Sequence, residues 1–249
     1  MKLACNYCPE AELLVREGKI EIDYFKIPAL DSQADLLNDP GACEEFAARA
    51  GALRPLLLHG MYPSMDRLIE ISKTPGISFH PDLDSSTVND IVSFVQSLQA
   101  QYAHLDFVSV ENSGAAIEAN PLALAKIVRQ SGCTFLLDIS HAYCTSQRLN
   151  MDFRAYLSLL PLDRIHEIHI NGWAEKDGDI MCHITINGQG YEILEELLTV
   201  CALEIITIEY GRENDRIGMG CPILRPGEIN AAAMAEIVEQ VERIRKIIS

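Results

Sequence analysis

The chain alternates short apolar runs with longer amphipathic stretches, and most of the apolar runs end alike, in a His or a carboxylate. Cys133-Thr134-Phe135-Leu136-Leu137-Asp138 is followed three residues on by His141. The same ending recurs at Leu56-Leu57-Leu58-His59, Ile77-Ser78-Phe79-His80, Val108-Ser109-Val110-Glu111, Ile168-His169 and Ile205-Ile206-Thr207-Ile208-Glu209. Apolar content and alternation predict strands at 2–6, 20–27, 55–59, 76–80, 105–111, 133–138, 165–171 and 204–209. The second of these alternates Ile20, Ile22 and Tyr24 against Glu21 and Asp23. Helical spacing fills the gaps. A helix over 9–18 has Pro early and Gly at its stop, and Ser64 is placed to cap one over 64–72. Asp84-Ser85-Ser86 opens a long helix with Val88, Ile91, Val92, Val95 and Leu98 on one face. Further helices are predicted over 42–49, 121–129, 152–160, 191–201 and 228–248.

Most connections between strands are too long for hairpins, so the strands should run parallel. Eight parallel strands alternating with helices close naturally into a (β/α)8 barrel, which needs roughly 250 residues; the chain has 249. An open doubly wound sheet is the alternative, but it would want a Gly-rich loop after the first strand, and Asn6-Tyr7-Cys8-Pro9 is not one. No repeat, low-complexity tract or linker divides the chain, so residues 1–249 are expected to form one α/β domain. Side-chain alternation supports closure. If the strand-end acids and imidazoles point inward, the positions one layer below are Leu57, Ser78, Ser109, Leu136, Glu167 and Thr207. Val108, Val110, Phe135, Leu137, Ile206 and Ile208 then pack beneath the helices.

Charge and composition narrow the function. A formal net charge of −16 counts against nucleic acid as a substrate and against binding to anionic membranes. No apolar run approaches the ~20 residues that span a bilayer, and no apolar segment precedes Cys5 as a lipoprotein signal would require. The 8 cysteines sit partly inside apolar runs and read as reduced thiols of a cytoplasmic protein. Cys5-x-x-Cys8 lacks a second pair and reads as buried thiols rather than a metal knuckle.

The strand endings carry the chemistry. His59, His80, Glu111, Asp138, His141, His169 and Glu209, joined by His183 from the segment after the seventh strand, would meet at the C-terminal mouth, where enzymes of this architecture keep their sites. Imidazoles mixed with carboxylates suit iron, zinc or manganese. Five imidazoles and three acids exceed the need of one ion and would serve two or three. Taken singly, a strand-end His is more often a hydrogen-bonded structural residue and a strand-end Asp a helix cap; convergence at one rim favours ligation. His104, at a helix end, and His166, whose parity faces the helices, are left out of the set. Glu111 and Glu209 are the expected proton-moving catalytic carboxylates, and Asn112, Asn171, Arg212 and Glu213 the expected polar substrate contacts.

In this order the motifs resemble the xylose-isomerase-like barrel superfamily, and within it the multinuclear non-haem iron-dependent oxidative enzymes that include the methanobactin biosynthesis enzyme. His59-Gly60, Ser78-Phe79-His80, Glu111-Asn112-Ser113, Leu136-Leu137-Asp138, Glu167-Ile168-His169-Ile170-Asn171-Gly172, Cys182-His183 and Ile208-Glu209-Tyr210 each resemble a family motif. Departures accompany them. Trp173 stands where the family has a second His, Met181 where it has the Asp of Asp-Thr-His, and Ser140-His141 where an Asn pair is usual. The resemblance implies a barrel with two or three irons that uses oxygen to oxidise or rearrange residues, often cysteines, of a ribosomally made peptide. The alternative within the superfamily is a sugar or polyol isomerase or epimerase, in which Glu111, Asp138, His169 and Glu209 hold a single zinc or manganese ion and a carboxylate moves the proton of a small polar substrate. A barrel that only binds a metabolite or partner would not require so many ligands at the rim.

Overall fold

The computed structural model describes residues 1–27, 39–62, 64–83, 86–113, 120–176, 179–209 and 229–249. Eight parallel strands form a closed barrel: β1 (Lys2–Asn6), β2 (Tyr24–Lys26), β3 (Leu56–His59), β4 (Gly76–Phe79), β5 (Phe107–Glu111), β6 (Thr134–Asp138), β7 (Ile165–Ile170) and, after a separate hairpin of β8 (Gly172–Lys176) and β9 (Asp179–Ile184), β10 (Ile205–Ile208). β1 closes the ring by pairing with both β10 and β2. All eight predicted barrel strands are present; β2 is shorter than its alternation suggested. The hairpin was not predicted.

Helices surround the barrel: α1 (Pro9–Arg16), α2 (Pro40–Gly51), α3 (Met65–Ser72), α4 (Val88–Gln101), α5 (Pro121–Ser131), α6 (Ile139–Arg148), α7 (Phe153–Leu157), α8 (Gly188–Val200) and α9 (Ala231–Ile248). Each buries the stripe its spacing marks out, such as Ile91, Val95 and Leu98 of α4. Caps set their starts. Thr87 and Asp90 form a reciprocal capping box for α4, so that helix begins just after the predicted Asp84-Ser85-Ser86 opening. Asn120 accepts from two backbone amides at the head of α5, and Gly132 ends it in the left-handed conformation that glycine adopts without strain. Ser64 precedes α3 but makes no side-chain cap, because its backbone is left-handed (φ 61°) and turns the hydroxyl away. Cys8 caps α1 through its sulfur, which accepts from Ala11 N at 3.4 Å. With Cys5 it is buried and unbridged.

The barrel interior is layered. At the N-terminal end Ala4, Leu57, Phe107 and Ile205 form a small apolar plug flanked by Tyr24. Gly76 faces the Phe107 ring so closely that a Cβ there would lie 2.6 Å from it. His166 departs from the predicted parity. A β-bulge pairs Phe135 with Ile165 and Leu136 with Glu167, and the extra residue lets the His166 ring meet that of Phe107, centroids 4.3 Å apart and planes tilted by 42°. Above the plug lies a polar layer, and above that the mouth. The helix-facing core takes in Val108, Val110, Phe135, Leu137, Ile206 and Ile208 as alternation requires. Among the described residues no helix is long and apolar enough to cross a membrane.

Candidate metal centre

The polar layer is built first, because it aims the mouth. Lys26 ends β2 facing inward and is fully buried. Its Nζ lies 2.9 and 3.0 Å from the two carboxylate oxygens of Glu167 and donates to Ser78 Oγ at 2.9 Å. Thr207 donates to Glu167 Oε1 at 2.5 Å. Burial alone would raise the Glu167 carboxyl, but the Lys26 charge and the His169 and Thr207 hydrogen bonds outweigh it and hold it down at about 2. From this layer Ser78 Oγ meets His59 Nδ1 at 2.9 Å and Glu167 Oε1 meets His169 Nε2 at 3.2 Å. Both rings are held from behind, which fixes the nitrogen each presents to the mouth.

At the mouth Glu111 is the hub. Its Oε2 lies 3.0 Å from His59 Nε2 and 3.6 Å from His80 Nε2. Its Oε1 lies 3.2 Å from His169 Nδ1 and 3.7 Å from His141 Nδ1. Glu209 joins the far side, with Oε1 3.1 Å from His169 Nδ1 and Oε2 3.3 Å from His183 Nε2. Asp138 divides its two oxygens. Oδ1 caps α6, accepting from His141 N at 2.7 Å and Ser140 Oγ at 2.8 Å, while Oδ2 accepts from Asn171 Nδ2 at 3.0 Å. The capping role and the mouth-facing role of this acid therefore coexist. Imidazole centroids of 5.1 Å (His59–His80), 5.7 Å (His80–His141) and 4.9 Å (His141–His183) trace an arc around the carboxylates.

The expected ligand residues thus come together from the ends of seven strands and the first turn of α6. Of the expected substrate contacts, Asn112 and Asn171 are fully buried with their amides engaged. Asn112 exchanges two hydrogen bonds of 2.9 Å with the Asp138 backbone, and Asn171 Oδ1 accepts from His183 N at 2.9 Å. Arg212 and Glu213 lie outside the described residues. Two residues at the site were given no site role by the sequence reading. Lys26 shares the inward parity of Tyr24, which was its available signal. Cys182 sits on β9, in the hairpin that went unpredicted. Gly172 permits that hairpin to fold back, since a Cβ there would overlap the Thr185 carbonyl oxygen. Trp173 stacks on Tyr143 of α6 at 4.6 Å and packs the hairpin against the barrel.

The electrostatics suit cations. Burial would raise Glu111 and Glu209, yet the surrounding imidazoles hold both well below the usual carboxylate range. Burial would lower His169, yet Glu209 and Glu111 hold it well above its ordinary value; His80, where burial dominates, is pushed down to about 3. Acids and imidazoles are therefore balanced by shared protons, the positive charge that a bound ion replaces when it displaces them. Among the described residues, three buried polar atoms, His80 Nδ1, Glu111 Oε2 and His169 Nδ1, make no well-aligned hydrogen bond, although Glu111 Oε2 and His169 Nδ1 have ion-pair neighbours at 3.0–3.2 Å and buried polar groups are nearly always satisfied. Among the described residues, three groups offer one ligand atom per residue within 4.8 Å of one another: Glu111, Asp138, His169 and Glu209; His59, His80 and Glu111; and His141, Cys182 and His183. The first two groups offer nitrogen and oxygen and the third adds a sulfur, donors that suit divalent transition metals.

Comparison with known proteins agrees. The profile of the RiPP precursor modification enzymes MbnB/TglH/ChrH matches residues 82–211. A UPF0276 protein of Chromobacterium violaceum is 44% identical over 55 residues, 22% of this chain and 20% of that protein. One from Psychromonas ingrahamii is 24% identical over 182 residues, 62% of this chain and 64% of that protein. The chain thus spans less than two thirds of each of these relatives. Among solved structures, a xylose isomerase domain containing protein from Salmonella typhimurium LT2 superposes with a TM-score of 0.64 at 14% identity, covering 100% of this chain and 97% of that one. The fold is a xylose-isomerase-like barrel.

Proposed function

The chain belongs to the RiPP precursor modification enzyme family MbnB/TglH/ChrH, and from that premise we propose that it is a cytoplasmic oxidative enzyme that modifies a peptide with two or three irons at the barrel mouth. The observation that carries this reading is the convergence of five imidazoles and three carboxylates on a mouth where Glu111, His80 and His169 keep buried atoms outside any well-aligned hydrogen bond. On this reading His59, His80, Glu111, Asp138, His141, His169, His183 and Glu209 hold the ions. Bound there, iron supplies one-electron chemistry and Lewis acidity.

The protein's own part is positional and protonic. Glu111 and Glu209 each face imidazoles on both oxygens, so each can take a proton from a substrate group and hand it to a neighbouring ring. The Lys26–Glu167–Ser78 layer keeps His59 and His169 oriented while this happens. Glu111, Asp138 and His169 are almost fully buried, which strengthens the charge interactions among them.

The group Glu111, Asp138, His169 and Glu209 also supports a second reading, a single-ion isomerase or epimerase acting on a small polar substrate. Metal content separates the two. The chain produced in iron-supplemented cells, and the metal-free chain reloaded anaerobically with iron(II), manganese(II) or zinc(II), should hold about two or three ions, chiefly iron. Most of that metal should be lost in Glu111→Gln. A plateau at about one manganese or zinc favours the isomerase, and only trace metal defeats both readings.

A further inference from the structure

We infer that His141, Cys182 and His183 form a thiolate-bearing metal subsite at the outer rim of the centre, with the Cys182 sulfur as a ligand in its own right. The inference deepens the proposed function and rests on it. It concerns a cysteine of this chain that the N/O ligand set does not use.

The placement comes from the hairpin. β9 carries Cys182 and His183 in succession, and the left-handed backbone of His183 (φ 61°) departs from strand alternation. Neighbouring side chains can therefore face the same way: Cys182 Sγ lies 3.2 Å from His183 Nδ1. His141 reaches the same point from the first turn of α6. One ligand atom from each of the three residues lies within 4.8 Å of the others. Two ligands on opposite sides of one ion stand at most about 4.4 Å apart, taking metal–sulfur as about 2.3 Å and metal–nitrogen as about 2.1 Å. The trio therefore needs to close by only a few tenths of an ångström.

Both imidazoles are already turned for the task. His141 Nδ1 lies 3.1 Å from the Asn112 carbonyl oxygen, an acceptor, so that nitrogen carries the hydrogen and Nε2 is left with its lone pair. His183 Nε2 lies 3.3 Å from Glu209 Oε2, which leaves Nδ1, the nitrogen beside the sulfur, as the free donor. A carbonyl or carboxylate behind each histidine is the arrangement that orients metal-bound imidazoles. Glu209 reaches His169 with its other oxygen, so the outer subsite shares a wall with the inner one. Cys144 of α6 is buried behind Cys182 and hydrogen-bonds to its sulfur, a contact of the kind that tunes a thiolate ligand. On ligation the S–H bond breaks, the proton leaves to solvent, and the sulfur lone pair goes to the ion; no electron changes hands. A thiolate favours zinc, iron or cobalt over magnesium or calcium.

The test uses cobalt(II) as the only added metal, on the metal-free full chain with its thiols reduced. The expected result is a saturable sulfur-to-cobalt charge-transfer band in the near ultraviolet. Cys182→Ser should lose the band and about one bound cobalt per chain, while Cys144→Ser retains the band. In the wild-type chain, which needs no variant to fold, cobalt should slow iodoacetamide alkylation of Cys182, read by peptide mass spectrometry, by about tenfold or more. Cobalt that binds without the band, a band that survives Cys182→Ser, or alkylation indifferent to cobalt overturns the thiolate ligand and leaves the His/carboxylate centre standing. A chain that binds no cobalt overturns both.

Discussion

The mouth of the barrel and the layer one step below it are both buried and both polar, yet they are built on opposite terms. In the lower layer Lys26, Glu167, Ser78 and Thr207 satisfy one another completely. At the mouth, Glu111, His80 and His169 each retain a buried atom without a well-aligned hydrogen bond, although His59 stands 3.0 Å from Glu111 and Glu209 3.1 Å from His169. A closed hydrogen-bond network in low dielectric is rigid, and a half-satisfied one is costly. The contrast separates scaffold from site. The lower layer is complete within the protein and aims the imidazoles above it, whereas the mouth, on the proposed reading, is completed by a cation.

The largest effect expected from this contrast is on stability and lies in the lower layer. Lys26→Met strips the cation from a fully buried pair and leaves Glu167 charged and uncompensated, which should cost about 3–5 kcal/mol, measured by urea unfolding of the metal-free chain. Lys26→Met combined with Glu167→Leu removes both charges and should recover most of that loss. If the single variant unfolds at the wild-type urea midpoint, the lower layer is not the scaffold described here. A smaller effect is expected where the layers meet. Asn171 holds Asp138 Oδ2 and the His183 backbone without lining the outer rim. Asn171→Ala should weaken metal binding by about 10–100-fold, read by competition with a chromophoric chelator. Unchanged affinity would mean that Asp138 and the hairpin are held by other contacts.

Much of this contrast was legible in the chain. Every barrel strand announced itself as an apolar run, and a period of two residues was enough to place Ser78, Glu167 and Thr207 beneath His80, His169 and Glu209. Three things were not legible, each for a physical reason. His166 was assigned to the helix side because a bulge between β6 and β7 shifts parity by one, and bulges leave little trace in a pattern of apolar positions. Lys26 went unnoticed because a lysine at a strand end is normally solvated; only the closed ring brings Glu167, 141 residues away, into contact with it. The hairpin β8–β9 was missed because Gly172 to Ile184 mixes charged and apolar residues without clean alternation, and its pairing depends on packing Trp173 against Tyr143. The strand endings, with the family likeness after them, singled out the candidate ligands, while Lys26 and the hairpin that carries Cys182 emerged from the fold.

The smallest effect concerns the end of the barrel remote from the mouth, and it bears on whether the two ends respond independently. Asp23, just before β2, accepts from Leu3 N at 2.8 Å and pairs with Lys2 at 3.3 Å and with Arg245 of α9 at 3.2 Å. Burial pushes its carboxyl up, but these partners outweigh burial and hold it below its ordinary value of 3.8. A carboxyl depressed by folding adds stability above its unfolded value, and that increment disappears as pH falls through the folded value. Asp23→Asn should therefore lower the urea midpoint at pH 7 by an amount worth roughly 0.5–1 kcal/mol, the scale of a part-exposed ion pair. The gap between wild type and variant should narrow steadily as pH falls below 3.8, while the metal content of the variant at pH 7 stays at the wild-type level. A gap that persists unchanged in acid would assign Asp23 a role that does not depend on its charge. A variant that loses metal would show that the latch at the closed end and the centre at the open end are coupled through the barrel.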